Sequence, residues 1–248
     1  MAQRRKLIVG NWKMNGRLTS GLNLARDIAD KAEAAKPLAF DLVLCPPATL
    51  LWPVAEVLMG TPVLLGAQNC HAANHGAFTG EISAGMLADL GCRYVILGHS
   101  ERRSAYRESN EDIAHKVAAA QLAGLTTIVC VGESMEQKLS DNAVSSIVEQ
   151  VTQSLPEKIH SSQIVIAYEP VWAIGSGETP NIDDIRTVHQ AIRVALGQMG
   201  RVTPILYGGS VTAANAQDFL DEPEIDGVLV GSASLSSDGF WGIAEKLR

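Results

Sequence analysis

Glu169 is the carboxylate best placed to do chemistry in this sequence. It closes a short apolar run, 164–168, and is followed at once by Pro170 and a glycine-flanked loop that reaches Gly177. The run is rich in β-branched residues and lacks polar alternation, which predicts a strand buried on both faces. Glu169 then stands where a parallel strand ends and a loop over the sheet begins. Pro170 biases it toward an extended backbone and so holds the carboxylate in one direction. Capping the next helix is the plainer role, but that helix is predicted to start near Asn181, beyond the reach of Glu169. Charged strand ends are also often merely solvated. A carboxylate beneath a loop that shuts out water meets the needs of a general base.

The other junctions between apolar runs and loops supply, in chain order, Asn11 and Lys13, then His99 and Glu101. Lysines mostly lie on surfaces. At a strand end, Lys13 is a candidate for a fixed positive charge beside an anionic substrate, or for a Schiff-base amine. His99 lies in Gly98-His99-Ser100-Glu101-Arg102-Arg103. A lone histidine is more often packed or solvated, but Ser100 and Glu101 read as the first residues of a short helix. A histidine facing that positive helix end is discouraged from protonating and acts as a neutral hydrogen-bond donor. Glu101 favours the same helix end or pairs with Arg102. Small-residue turns at 175–177, 208–210 and 231–234 suit backbone amides approaching an anion, a phosphate above all.

Other patterns carry less. His71-x-x-x-His75, with Cys70 beside it, has helical metal-ligand spacing, but it lacks a zinc-protease glutamate and lies in a loop of Ala, Asn and Gly. No metal site is expected there. Gly98-His99-Ser100-Glu101-Arg102 lacks the closing glycine of a nucleophile elbow. Met135 and Trp241 read as packing residues.

The elements that must position these groups are short and regularly spaced. Apolar runs recur at 7–9, 40–44, 63–65, 94–97, 126–131, 164–167, 204–206 and 228–230. Between them lie helical stripes: Leu22, Ile28 and Ala29; Ile113, Val117, Ala120 and Gln121; Val144, Ile147, Val148 and Val151; Ile185, Val188, Ile192 and Ala195. Asn181-x-x-Asp184 resembles a capping box, and Thr212 is a candidate cap for the helix after Gly208-Gly209-Ser210. Strand–helix alternation predicts a parallel sheet with right-handed crossovers. Eight units of about 31 residues match a closed (β/α)8 barrel. An open doubly wound sheet is the alternative, but Gly175-x-Gly177 is not the dinucleotide fingerprint that would support it. With no linker or composition break, residues 1–248 are expected to form a single domain.

A hydrophobic content of 46% with 19% charged residues excludes wholesale disorder, and a net charge of -7 argues against nucleic acid or an anionic membrane as partner. The one basic cluster, Arg4-Arg5-Lys6, is expected only to solubilise the start of the first strand. Cys45, Cys70, Cys92 and Cys130 show no paired spacing and read as reduced thiols. The apolar stretch Leu7-Ile8-Val9 is too short for a signal sequence or membrane span, so the cytoplasm is the expected location.

Four motifs in this order along the chain resemble those of triosephosphate isomerases: Gly10-Asn11-Trp12-Lys13-Met14-Asn15, Ile96-Leu97-Gly98-His99-Ser100-Glu101-Arg102-Arg103, Tyr168-Glu169-Pro170-Val171-Trp172-Ala173-Ile174-Gly175 and Tyr207-Gly208-Gly209-Ser210. Gly76-Ala77-Phe78-Thr79-Gly80-Glu81 and Gly231-Ser232-Ala233-Ser234-Leu235 look like the same family. The resemblance implies a TIM barrel that interconverts dihydroxyacetone phosphate and D-glyceraldehyde 3-phosphate in glycolysis and gluconeogenesis, with no metal or organic cofactor. It implies Glu169 as the base, His99 as the neutral electrophile, Lys13 as the positive charge, Asn11 as a substrate ligand and Glu101 as support. The pairing of glutamate base with neutral histidine belongs to that family and is not a deduction from spacing. The amides of Gly175, Ser210, Gly231 and Ser232 are implied phosphate ligands. Val171, Trp172, Ala173, Ile174, Gly175, Ser176 and Gly177 are the implied lid. A lid protects an enediolate from phosphate loss and strengthens the electrostatics around it.

Ser232 stands where many relatives have a second glycine, which preserves the amide provided the turn needs no positive φ. Glu178-Thr179-Pro180 stands where many have Lys-Thr-Ala, and Pro180 stiffens that end of the lid. The long loop from Cys70 to Glu81 carries Phe78. The resemblance implies a homodimer in which Thr79 reaches toward Asn11 of the partner subunit. A Schiff-base aldolase is disfavoured because Lys13 is not expected inside an apolar strand. A non-catalytic phosphate-binding barrel scaffold would need none of Asn11, Lys13, His99 and Glu169 at its loop face.

Overall fold

The structure is a computed structural model that describes residues 4–140, 142–173 and 180–248. Its sheet is a closed parallel barrel in the order β1 to β8. The strands are β1 (Lys6–Asn11), β2 (Phe40–Cys45), β3 (Val63–Ala67), β4 (Tyr94–Leu97), β5 (Thr126–Val131), β6 (Ile164–Tyr168), β7 (Ile205–Tyr207) and β8 (Gly227–Val230). Closure is made by β1 against β8, with Leu7 opposite Gly227 and Gly10 opposite Val230. Every expected strand is present. Asn11, expected just past the first strand, is its last residue and pairs with Cys45. The seventh strand starts one residue later than expected, because Pro204 has no N–H to give the ladder; its carbonyl accepts from Ile166 N–H instead.

The runs are apolar throughout because both of their faces are covered. Leu7, Val9, Val43, Cys45, Ile96, Ile128, Cys130, Val165, Ala167, Leu206 and Leu229 fill the barrel interior. The intervening residues, Ile8, Leu42, Leu44, Leu97, Ile166 and Val228 among them, pack against the outer helices. Those helices are α1 (Leu18–Ala34), α2 (Leu51–Leu58), α3 (Ala84–Asp89), α4 (Ser100–Tyr106), α5 (Asn110–Leu122), α6 (Met135–Lys138), α7 (Ala143–Gln153), α8 (Ile182–Ala195), α9 (Ala216–Leu220) and α10 (Ser237–Ala244). Among the described residues, no helix is long and apolar enough to cross a membrane.

Ile113, Val117, Ala120 and Gln121 on α5 are all buried, as the spacing predicts. Ile28 and Ala29 on α1 are buried, while Leu22 is half-buried. On α7 the buried residues are Ile147 and Val151; Val144, in the first turn, is exposed. Asn181 does cap α8, taking Asp183 N–H at 3.0 Å, without a reciprocal bond from Asp184. Thr212 does not cap α9 with its hydroxyl. Its carbonyl takes the Asn215 and Ala216 N–H groups, and its own N–H donates to Asn215 Oδ1 at 2.8 Å.

The basic triplet does more than solubilise. Arg4 Nε donates to Asp226 at 2.7 Å, Arg5 binds Asp41 and the Phe40 carbonyl, and Lys6 donates to the Leu220 and Ile225 carbonyls. These bonds tie β1 to β2 and to the chain entering β8. A strand that begins between two others offers its flanking cations carbonyls and carboxylates on both sides. Burial lowers the Lys6 pKa, with Asp226 opposing.

Candidate active site

The carboxyl ends of the strands surround a pocket of about 480 Å³ that Asn11, Lys13, His99, Glu169, Ser210, Gly231 and Ser232 all line. Glu169 follows β6 directly, and its backbone N–H is held by the Val131 carbonyl at the end of β5 (2.8 Å). Two glycines make room for it. A Cβ at Gly208 would come within 2.9 Å of Glu169 Cγ, and one at Gly132 within 1.7 Å of the Glu169 carbonyl oxygen.

The carboxylate is 2% exposed. Its Oε2 accepts the Ser100 N–H at 3.0 Å, and its Oε1 lies 2.9 Å from His99 Nε2. His99 is the N-cap of α4, and its Nδ1 accepts the Glu101 N–H at 3.3 Å. A ring nitrogen that accepts carries no proton, so the single proton of the neutral ring sits on Nε2, facing Glu169. Burial opposes the charge on Glu169, but His99, the Ser100 N–H and Lys13 outweigh it and lower the carboxyl pKa. For His99, burial likewise opposes the charged form, and the neighbouring Glu169 raises the pKa against it.

Lys13 sits just past β1 with φ of 53°, left-handed for a non-glycine residue. Its N–H donates to Asn11 Oδ1 (3.0 Å), and Gln68 Nε2 holds both the Lys13 and Cys45 carbonyls (2.9 and 2.8 Å). Those bonds over-determine the turn. The ammonium pairs with Glu101 at 2.7 Å and passes beside Gly231. Glu101 therefore pairs with Lys13; Arg102 pairs with Glu108 instead.

On the opposite wall, Ser210 Oγ donates to the Ala173 carbonyl at 3.1 Å, and its carbonyl accepts from Asn215 Nδ2 at 3.1 Å. Gly231 and Ser232 open a helical turn, Ser232–Leu235, whose first N–H groups have no partner within it. Ser232 does not have a positive φ, so the non-glycine residue there is unstrained. Gly175 lies outside the described residues.

Val171, Trp172 and Ala173 form a helical turn after Pro170; Ile174, Gly175, Ser176 and Gly177 lie outside the described residues. Glu133 anchors the turn. Its Oε1 accepts Tyr168 OH at 3.0 Å and Trp172 Nε1–H at 2.7 Å, while Lys138 lies 3.1 Å above the Trp172 ring. Pro180, just before the α8 cap, is buried. Phe78 is 46% exposed and packs on His71 with ring centroids 4.2 Å apart, and Thr79 is exposed. His71 Nδ1 is occupied by the Ala73 N–H. Among the described residues, no group of His, Cys, Asp and Glu is arranged to hold a metal ion.

Sequence reasoning missed Ser100 as a partner of Glu169, and Gln68, Glu133 and Asn215. Ser100 acts through its backbone, which leaves no mark on residue type. Thr212-x-x-Asn215 was legible as a turn-closing pair, with the polar side chain at the second position rather than the first.

The family model for triosephosphate isomerase matches residues 6–247. The chain is similar to the triosephosphate isomerase of Rhodopirellula baltica, 50% identical over 97% of this chain and 96% of that one. It is also similar to that of Caulobacter vibrioides, 47% identical over 98% and 97%. The crystal structure of triosephosphate isomerase from Bartonella henselae superposes with a TM-score of 0.90 at 40% identity, covering 98% of both chains. Barrel, pocket and full-length likeness agree: the chain belongs to the triosephosphate isomerase family and is an isomerase.

Proposed function

We propose that Glu169 and His99 are the proton-transferring pair of this isomerase, which interconverts dihydroxyacetone phosphate and D-glyceraldehyde 3-phosphate in glycolysis and gluconeogenesis. The observation that carries this reading is the contact between the two groups: a carboxylate held ionised, against an imidazole whose one proton points at it. Glu169 rests on His99 in this structure and must leave it for substrate to enter. The carbonyl oxygen then takes the Nε2 proton as a hydrogen bond, and the carboxylate takes a proton from the adjacent carbon. With Glu169 withdrawn, the influence raising the His99 pKa falls away. Burial and the end of α4 then keep the ring neutral.

Lys13 supplies the positive charge against which the enediolate forms, and Glu101 and Asn11 fix its position. Collapse returns the proton to the neighbouring carbon, and the hydroxyl proton moves between the two oxygens. One C–H bond breaks, one forms, and no cofactor enters. The amides of Gly175, Ser210, Gly231 and Ser232 hold the phosphate, and residues 171–177 close over it.

The chain is one domain over 1–248, acts in the cytoplasm and works as a homodimer. A second cleft, about 450 Å³, runs from Asn11, Lys13 and His99 past Met14, Glu81 and Tyr106. Met14 is 95% and Tyr106 69% exposed beside it, an apolar wall suited to a second copy carrying Thr79. Thr79→Arg should therefore yield a poorly active monomer; a monomer with full turnover would sink the dimer assignment. The decisive test of the chemistry is a coupled glyceraldehyde 3-phosphate assay on wild type and Glu169→Gln side by side. Loss of the base should cost about 10²- to 10⁴-fold in kcat. Full turnover by the variant would place the base elsewhere.

A further inference from the structure

The ladder between β4 and β5 ends with Leu97 opposite Val129. The next residues in that register are Gly98 and Cys130, and both adjoin the site. The peptide unit that carries the Gly98 carbonyl also contains the His99 nitrogen. Cys130 precedes Val131, whose carbonyl holds the Glu169 N–H, and the Cys130 thiol hydrogen-bonds the Glu169 carboxylate. Arg103, on α4, bridges the two positions: Nε donates to the Gly98 carbonyl at 2.8 Å, and a terminal nitrogen donates to the Cys130 carbonyl at 3.0 Å. Gly98 is left-handed at φ of 67°, and a Cβ there would come within 3.2 Å of the guanidinium, so turn and fork fit closely.

The fork is seated from outside the barrel. Its other terminal nitrogen donates to Asn110 Oδ1 on α5 at 2.6 Å, and the nitrogen facing Cys130 also reaches Ser154 Oγ, just past α7, at 3.2 Å. Ser154 is fully buried and donates in turn to Asn110 Oδ1 at 3.2 Å. All four acceptors of Arg103 are neutral, and among the described residues it makes no ion pair. A half-buried cation without a counter-charge is a costly way merely to tie two strands together. What a guanidinium supplies is shape: donors on three nitrogens, in one plane and at fixed spacing.

We propose that Arg103 is a positioning residue for the isomerisation: its rigid fork replaces the rung missing after Leu97 and Val129 and so fixes His99 Nε2 relative to the Glu169 carboxylate. The inference rests on those two groups being the proton-transferring pair. Arg103→Lys keeps the charge but offers a single point donor, which cannot span both carbonyls. Asn110→Ala leaves Arg103 in place and removes one seat of the fork. Neither residue lines the substrate pocket. In Arg103→Lys, kcat per folded molecule should fall about 10- to 10²-fold with KM unchanged, the effect of a small misplacement of the reacting groups. The fall should be smaller in Asn110→Ala. The His99 Nε2–H resonance, read by NMR in the resting enzyme, should move in the same order. Wild-type kcat in the folded variants, or a resonance that stays in place, would overturn the role; should Arg103→Lys not fold, Asn110→Ala decides alone. Failure of the pair's assignment is separately visible as full turnover by Glu169→Gln.

Discussion

Asp226, where the strands begin, and Glu169, where they finish, are both buried carboxylates, 3% and 2% exposed. Asp226 is held by two guanidinium groups, Arg4 at 2.7 Å and Arg193 at 2.5 Å, and by the Ile205 N–H at 2.8 Å. Arg193 in turn reaches Glu224 and the Gly200 and Thr203 carbonyls. Among the described residues Glu169 has no arginine or lysine in contact; its partners are the Ser100 N–H, the His99 imidazole and the buried Cys130 thiol. Permanent counter-charges make a carboxylate structural. A partner that can be exchanged leaves it available for chemistry.

The contrast can be broken at either end. Glu169→Gln, with the largest expected effect, should abolish most turnover while thermal unfolding changes little. Asp226→Ala should do the reverse, costing about 3 kcal/mol by urea unfolding because it leaves Arg193 buried with one fewer partner; kcat per folded molecule should hold. A kcat loss as large as that of Glu169→Gln would erase the distinction.

His189 sharpens it. The side chain is buried, Nδ1 meets the Glu224 carbonyl at 3.1 Å, and Nε2 has no partner among the described residues; desolvation lowers the pKa to about 4. The unfolded chain binds this proton near the ordinary value of 6.5, above the folded value. Stability from this group is therefore intact above about pH 6.5 and is lost as pH falls toward 4, by about 2 kcal/mol at pH 5. In His189→Gln, the difference in unfolding free energy between pH 7 and pH 5 should shrink by that amount. The smallest effect belongs to Asn215→Ala, which frees the Ser210 carbonyl and the Thr212 N–H at the rim of the pocket. One hydrogen bond of about 1 kcal/mol corresponds to roughly fivefold in KM, with kcat nearly unchanged. A fall in kcat with KM constant would show that Asn215 serves chemistry and not binding.

The strands were legible because both faces of each are apolar, a pattern that does not depend on distant partners. Glu169, Lys13, Asn11 and His99 were legible because they sit where such runs stop. Contacts made through the backbone were not. The Ser100 N–H that holds Glu169 could belong to any residue type. Arg4, Arg5 and Lys6 misled for a related reason. A basic cluster reads as a solvated face until the fold brings Asp226 and Asp41 alongside. Val144 was misplaced because helical spacing does not show that the first turn of α7 leaves its side chain exposed.

The four thiols, Cys45 on β2, Cys70 after β3, Cys92 before β4 and Cys130 on β5, are all buried. Burial pushes Cys70 and Cys92 up to about 12 and Cys45 and Cys130 well above the usual value, so almost no thiolate exists at neutral pH. Thiol-directed oxidants and alkylating reagents should leave these four sulfurs untouched in the native enzyme. What reacts is whatever has opened, and all four sulfurs report on the same half of the barrel. Their labelling rates measured one by one, against the overall unfolding rate, would reveal whether that half ever comes apart while the other stays closed.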